Sequence, residues 1–138
     1  KRRLANVGTD DPGTLASMTA LARVYLDVKP AEAEPLLRQA MAIRDKMTPD
    51  DWSSFDTRSL LGASLVGQKK YAEAEPFLLQ GYEGLKVRAA KIPPKLQKRV
   101  PEAVERIVKL YEAWGKKDLA DEWRKKQPSP PAAVPPKP

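Results

Sequence analysis

Ala31 to Gln39 reads AEAEPLLRQ, and Ala72 to Gln80 reads AEAEPFLLQ. Seven of the nine positions agree, and the second copy follows the first at an offset of 41 residues. So close a match at a fixed spacing indicates an array in which one structural unit is repeated. Because a repeat unit buries its apolar face only by stacking on its neighbours, the sequence predicts a stacked array with an extended surface.

The composition excludes several kinds of functional site. The 138 residues include no cysteine and no histidine, which removes thiolate and imidazole metal ligands, disulfides and cysteine nucleophiles. The acidic pairs Asp50–Asp51 and Glu73–Glu75 fall in first turns of predicted helices, where the helix dipole explains them without catalysis. We therefore expect a protein that is not an enzyme and uses no cofactor. The missing cysteine fits a cytoplasmic location, and the sequence contains no run of about 18 apolar residues that would predict a membrane span.

Apolar residues recur at helical spacing in six segments that proline and glycine separate. Asp11 before Pro12 predicts a capped helix start, and Thr48 with Pro49 predicts another, with Thr48 as the cap. The predicted helices cover about 14–26, 31–47, 48–67, 71–91, 101–115 and 117–126. Residues 1–8, which lack an initiator methionine, are expected to be the end of a preceding repeat helix in a longer protein. The proline-rich residues 128–138 are expected to form a disordered tail.

Small residues recur where paired helices must approach each other. They are Ala22, Ala33 and Ala40 in the first pair and Gly62, Ala74 and Gly81 in the second. This pattern resembles the tetratricopeptide repeat, and the segment from Ile107 to Ala120 continues it. The resemblance implies an all-α, right-handed solenoid of about three helix pairs. Its units would be 9–47, 48–92 and a degenerate, capping unit at 93–127.

The unit length of about 41 residues is similar to that of kinesin light chain repeats. The stretches that carry this resemblance are LARVY at 21–25 and AEAEPLLRQAMAIRDK at 31–46. The end of the chain, ERIVKLYEAWGKKDLADEWRKK at 105–126, resembles the C-terminal repeat region of bacterial multidomain proteins such as serine/threonine kinases. The resemblance implies a protein-binding scaffold within a larger, bacterial protein.

In that family the first helices of successive units line a concave groove that accepts a peptide. The corresponding partner-binding positions here are Thr19, Arg23, Leu26, Arg58, Ser59, Ala63, Arg106 and Lys109, with Ala20, Leu60, Val66, Glu105 and Glu112 on the same predicted face. Kinesin light chain repeats hold the peptide backbone with paired asparagines, whereas the positions that would carry them here are Thr19–Ala20, Ser59–Leu60 and Glu105–Arg106.

A cluster of six cations is the second candidate site. It consists of Lys86, Arg88, Lys91, Lys95, Lys98 and Arg99, with no acidic residue among them, in a chain of net charge +7. Such a basic cluster neutralises phosphates in nucleic-acid binders, but no aromatic residue is interleaved for stacking on bases. The tryptophans at 52, 114 and 123 and the tyrosines at 25, 71, 82 and 111 are predicted to fill gaps between helices.

Three hypotheses about function remain open from the sequence. The first is docking of a peptide or partner domain on the concave face. The second, in which nucleic acid or an anionic membrane binds the basic cluster, has the weaker support because the stacking residues are missing. The third is a structural spacer or self-association element.

Overall fold

The computed structural model describes residues 12–126, and their side chains from residue 15 onward. These residues form six α-helices and contain no strand, so the predicted all-α class is confirmed. The helices are α1 (Pro12–Val28), α2 (Pro30–Met47), α3 (Trp52–Gly67), α4 (Tyr71–Val87), α5 (Arg99–Trp114) and α6 (Lys117–Arg124). Two 3₁₀ turns, Ala89–Lys91 and Pro94–Leu96, connect α4 to α5. The predictions for residues 1–8, for the Asp11 cap and for the tail from 128 fall outside the described residues.

Both copies of the repeated sequence are helical, one in α2 and one in α4. The same two positions of each copy face the core, Ala33 and Leu37 in the first and Ala74 and Leu78 in the second, and the residue directly after each copy, Ala40 or Gly81, is buried as well. Pro35 and Pro76 are each the sixth residue of their helix. They lie beyond the first four N–H groups, so each removes an intrahelical hydrogen bond.

The small residues let neighbouring helices approach closely. An ideal Cβ added to Gly81 on α4 would lie 2.8 Å from the Phe55 carbonyl oxygen and 2.8 Å from the Ser59 nitrogen on α3. A Cβ on Gly62 would lie 2.5 Å from Cγ of Leu78. Helices α3 and α4 therefore pack at a distance that only glycine permits at these positions, as the sequence predicted.

Each helix packs against the next one along the chain, and α1 and α5 both also pack against α3. One apolar core runs through this arrangement, from Ala22 on α1 to Ala120 on α6. A smaller cluster of Leu15, Ala40 and Ile43 lies between α1 and α2. The odd-numbered helices thus form one layer with α3 in its middle.

Three helix ends differ from the sequence prediction. Asp51, not Thr48, caps α3, and its carboxylate accepts a hydrogen bond from the Ser53 backbone at 3.0 Å. Helix α4 ends at Val87 instead of Lys91, because the chain tightens into a 3₁₀ turn ahead of Pro93 and Pro94. Helix α5 begins at Arg99, so Pro101 lies in its first turn, where a missing N–H costs nothing.

Candidate binding groove

The layer of α1, α3 and α5 carries two adjoining clefts. Residues near the starts of the three helices line the N-terminal cleft, and residues farther along them line the C-terminal cleft. Because the same order holds on each helix, the three helices run in the same direction. Arg23 lines both clefts, so the two adjoin on one face of the layer, and together they are called the groove.

The C-terminal cleft has a volume of about 370 Å³. Its apolar lining comes from Leu26, Ala63 and Val66, and its cations are Arg23, Arg106 and Lys109. Three acidic residues complete the lining, namely Asp27, Glu102 and Glu105. The cleft therefore offers an apolar strip between charged groups of both signs.

The N-terminal cleft has a volume of about 330 Å³ and is more polar. Helix α1 contributes Thr19 and Ala20, and the first turns of α3 contribute Trp52 and Ser53. Its charged residues are Arg23, Arg44, Arg99 and Asp56, which come from four different helices. The cleft thus carries three positive charges and one negative charge.

A network of ion pairs separates the two clefts. Asp56 is only 7% exposed and accepts a hydrogen bond from Arg23 Nη2 at 2.7 Å. Arg99 Nε lies 3.7 Å from the same carboxylate oxygen. Arg106 Nη1 donates to the Ser59 hydroxyl at 3.0 Å. The network joins α1, α3 and α5 at the middle of the groove.

Burial changes the electrostatics of two arginines beside this network. Desolvation lowers the pKa of the Arg106 guanidinium, and the nearby Asp56 carboxylate opposes the shift. Desolvation also lowers the pKa of Arg44, which Asp51 and Asp56 oppose. Arginine stays protonated in proteins, so the lowered pKa values reflect the free-energy cost of burying a positive charge. The nearby carboxylates offset part of that cost.

The structure brings most of the predicted groove residues together. Thr19 and Ala20 line the N-terminal cleft, Arg23 lines both clefts, and the C-terminal cleft holds Leu26, Ala63, Val66, Glu105, Arg106 and Lys109. Four predicted residues are placed elsewhere. Ser59 and Leu60 are fully buried, so neither can touch a partner directly. Glu112 forms an ion pair with Arg124 of α6.

Arg58 is the clearest correction among the predicted contacts. Its Nη1 and Nη2 donate to the two carboxylate oxygens of Asp45 at 2.9 and 2.8 Å, and its Nε donates to Gln80. It lines a separate surface pocket with Phe55 and Val87. Each residue of an α-helix is rotated by about 100° from the one before it. Arg58 is two residues beyond the groove-lining Asp56, so its side chain points away from the groove toward α2 and α4.

Sequence reasoning missed Asp56, Arg44 and Glu102. Asp56 precedes Ser59 by three residues and Ala63 by seven, so helical spacing alone puts it on the predicted groove face. Glu102 has the same relation to Glu105 and Lys109 on α5. Arg44 enters from α2, a helix that no groove prediction included, and only the fold brings it to the cleft.

Only some of the six cations in the predicted basic cluster are exposed to solvent. Lys86, Lys91, Lys95 and Lys98 are exposed. Arg88 instead packs over the Phe55 ring at 4.3 Å and donates to the Asp50 carbonyl oxygen at 2.7 Å. Arg99 is only 16% exposed and pairs with Asp56 and Glu102. Two of the six cations are therefore engaged within the protein, because their guanidinium groups bridge elements.

The aromatic residues pack between helices, as predicted. All seven predicted tryptophans and tyrosines contact the main core or belong to it. Tyr82 and Trp123 meet edge to face at 5.2 Å, and Tyr111 stacks on Trp114 at 6.4 Å. These contacts fix α6 against α4 and help to order the end of α5.

Within residues 12–126 no helix is long and apolar enough to cross a membrane, and no group of three acidic side chains is placed to hold a metal ion. A scan of the chain against protein-family models found no match, and neither did a search of curated proteins.

Proposed function

We propose that this chain is a non-catalytic interaction module of the tetratricopeptide type, in which α1–α2, α3–α4 and α5–α6 are three stacked units of a right-handed solenoid. The support is the repeated motif, the identical burial of its two copies and the packing of α1 and α5 on either side of α3. The module belongs to a larger, bacterial protein and docks a peptide or partner segment on the layer of α1, α3 and α5.

The observation that carries this proposal is the convergence of residues from three helices on one groove. Leu26, Ala63 and Arg106 belong to three different units in the sequence, yet they line the same cleft. A groove that depends on the stacking of units is the kind of surface that repeat proteins use for binding.

The lining of the C-terminal cleft favours an extended peptide as the occupant. The apolar strip of Leu26, Ala63 and Val66 would bury one apolar side chain. Exposed Glu105 and Lys109 flank the strip and can pair with the polar groups of a backbone or with charged neighbours in the peptide. Because charges of both signs are present, net charge alone would not select the ligand.

A selection from a library of random peptides against the full chain tests the proposal. Peptides that survive selection are measured for affinity to the unchanged chain and to Ala63→Arg, which fills the C-terminal cleft. We expect Ala63→Arg to weaken binding by on the order of tenfold or more, because the peptide and the new side chain compete for the same space.

The matched control is Ala42→Arg, the same change at an exposed position of α2. It should leave peptide affinity and helical circular dichroism unchanged. Failure to select any peptide, or equal binding by both variants, would contradict docking in the groove and would favour a structural spacer.

A further inference from the structure

Three buried polar atoms have no hydrogen-bond partner within residues 15–126. They are the Nε atoms of Arg44 and Arg99 and the Oδ1 atom of Asp56. All three residues line the N-terminal cleft. Buried polar groups are almost always paired, since leaving one unpaired costs about 1–3 kcal/mol. The concentration of three such atoms at one cleft therefore marks a place where a bound group would be stabilised.

The three atoms define what that group must offer. The two arginine Nε–H groups are donors, so the ligand must present acceptors to both. The Asp56 carboxylate oxygen is an acceptor, so the ligand must also present a donor. Glu102 pairs with Arg99 and Asp51 acts on Arg44, so the charges around the cleft nearly balance, and the two unpaired Nε–H donors are what favour an anionic acceptor.

From this combination we infer that the N-terminal cleft is a binding site for inorganic hydrogen phosphate. Hydrogen phosphate is an anion that accepts through its oxygens and donates through its P–OH group. Sulfate and carboxylates at neutral pH carry negative charge and acceptors but no donor. The Asp56 carboxylate would therefore repel them, and phosphate would be selected over sulfate.

The cleft has room for such a group. Its volume of about 330 Å³ is roughly ten times the ~30 Å³ that one water molecule occupies in the liquid. The three unpaired atoms are covered by their surroundings, so the Arg44 and Arg99 side chains must turn toward the phosphate as it enters. Both are long side chains with several rotatable bonds, and movement of Arg99 from its place 3.7 Å from the Asp56 carboxylate would uncover that carboxylate, which stays held by Arg23.

Titration of the ¹⁵N-labelled full chain with inorganic phosphate tests the inference. The arginine Nε–H resonances are followed by NMR at neutral pH while sodium chloride keeps the ionic strength constant. We expect saturable shifts of the Arg44 and Arg99 resonances with phosphate and an affinity for sulfate lower by on the order of tenfold. A second titration uses N-acetyl-O-phosphoserine amide, whose phosphate is mostly a dianion without a P–OH group at neutral pH, and it should bind more weakly than inorganic phosphate, as sulfate does.

Two variants separate recognition from structure. Asp56→Asn replaces the acceptor by an amide that can donate, so the preference for phosphate over sulfate should disappear or reverse. Arg44→Lys keeps the charge but lacks the Nε donor, and it should weaken phosphate binding. The matched control is Arg38→Lys, which changes an arginine that pairs with Glu34 and Glu73 outside the cleft. Circular dichroism verifies that each variant is folded.

Equal binding of sulfate and phosphate would overturn the inference, because charge alone would then explain the site. So would the absence of saturable shifts with inorganic phosphate, since water would then satisfy the three atoms. The site goes beyond the proposed peptide docking and is tested without a peptide. A negative phosphate titration would therefore leave the peptide proposal standing, and a failed peptide selection would leave the phosphate inference standing.

Discussion

Arg23 on α1 and Asp56 on α3 form an ion pair in which Nη2 and Oδ2 are 2.7 Å apart. The side chain of Asp56 is only 10% exposed, and Arg99 approaches the same oxygen from the start of α5. One carboxylate thus connects the three helices that line the groove. Removing it would leave two guanidinium groups facing each other in a partly buried place.

We predict that Asp56→Asn lowers the free energy of unfolding by about 3 kcal/mol, the cost of breaking a buried ion pair from one side. Urea denaturation of the full chain measures the change. Asp45→Asn is the matched control, because Asp45 pairs with Arg58 at 2.8 Å but is 37% exposed. It should cost about 1 kcal/mol or less. Equal effects of the two substitutions would show that the Asp56 pair is screened by solvent.

The second glutamate of each repeat copy ties its helix to the following odd-numbered helix. Glu34 on α2 accepts a hydrogen bond from Gln68 at the C-terminal end of α3 at 2.8 Å. Glu75 on α4 accepts one from the hydroxyl of Tyr111 on α5 at 2.7 Å. The sequence analysis explained Glu75 by the helix dipole, but the structure shows that Glu34 and Glu75 each also join two neighbouring helices.

The Tyr111 contact predicts a loss of stability at alkaline pH. Burial raises the pKa of the Tyr111 phenol, and the Glu75 carboxylate adds to the shift. Below about pH 10, the unfolded value, both states hold the proton and the stabilisation is complete. As the pH rises past about 10 the unfolded state loses its proton first, so the free energy of unfolding falls.

Tyr111→Phe should cost about 1 kcal/mol near pH 8 through the lost hydrogen bond, and it should weaken the alkaline decline. Urea unfolding at pH 8 and at about pH 11 measures both effects. All other residues are the same in both proteins, so the difference between the two pH profiles isolates Tyr111. Identical slopes in the two proteins would refute the assignment.

Replacing Gly81 by alanine should destabilise the protein, although alanine usually stabilises a helix when it replaces glycine. Alanine in place of an exposed helical glycine stabilises by about 1 kcal/mol. At Gly81 the new Cβ would meet the backbone of Phe55 and Ser59, which cannot rotate away. We therefore expect Gly81→Ala to destabilise by about 2 kcal/mol in thermal or urea unfolding. Ala72→Gly, at an exposed position of the same helix, gives the propensity baseline. A stabilising Gly81→Ala would disprove the close approach of α3 and α4.

Much of the fold could be predicted from the sequence because its signals are local. Prolines and glycines separate the helices, and the repeated alanines and glycines mark where helices touch. The end of α4 and the cap of α3 could not be predicted in the same way. Residues 88–98 contain both helix-forming and turn-forming signals, and only packing decides that the chain leaves the α-helix after Val87.

The groove was predictable only as far as helical spacing and family resemblance reach. The family resemblance predicted Leu26, Ala63 and Lys109, each of which shares a face with its neighbours on one helix. It could not show that Ser59 is covered by Arg106, since these residues are 47 positions apart. It could not find Arg44 either, because the approach of α2 to the N-terminal cleft depends on how the helices stack.

Lys109 offers the cleanest test of which surface binds a partner. Its side chain is 67% exposed and pairs with Glu105 at 3.7 Å, so Lys109→Glu should change stability by less than about 0.5 kcal/mol. Arg23 is unsuitable for the same test, since a glutamate there would face Asp56.

If the selected peptides occupy the C-terminal cleft and carry acidic groups near Lys109, Lys109→Glu should weaken their binding by about tenfold. Lys98→Glu makes the same charge change on the basic cluster and should leave affinity unaltered. The reverse result, in which only Lys98→Glu matters, would move the binding surface from the groove to the basic cluster.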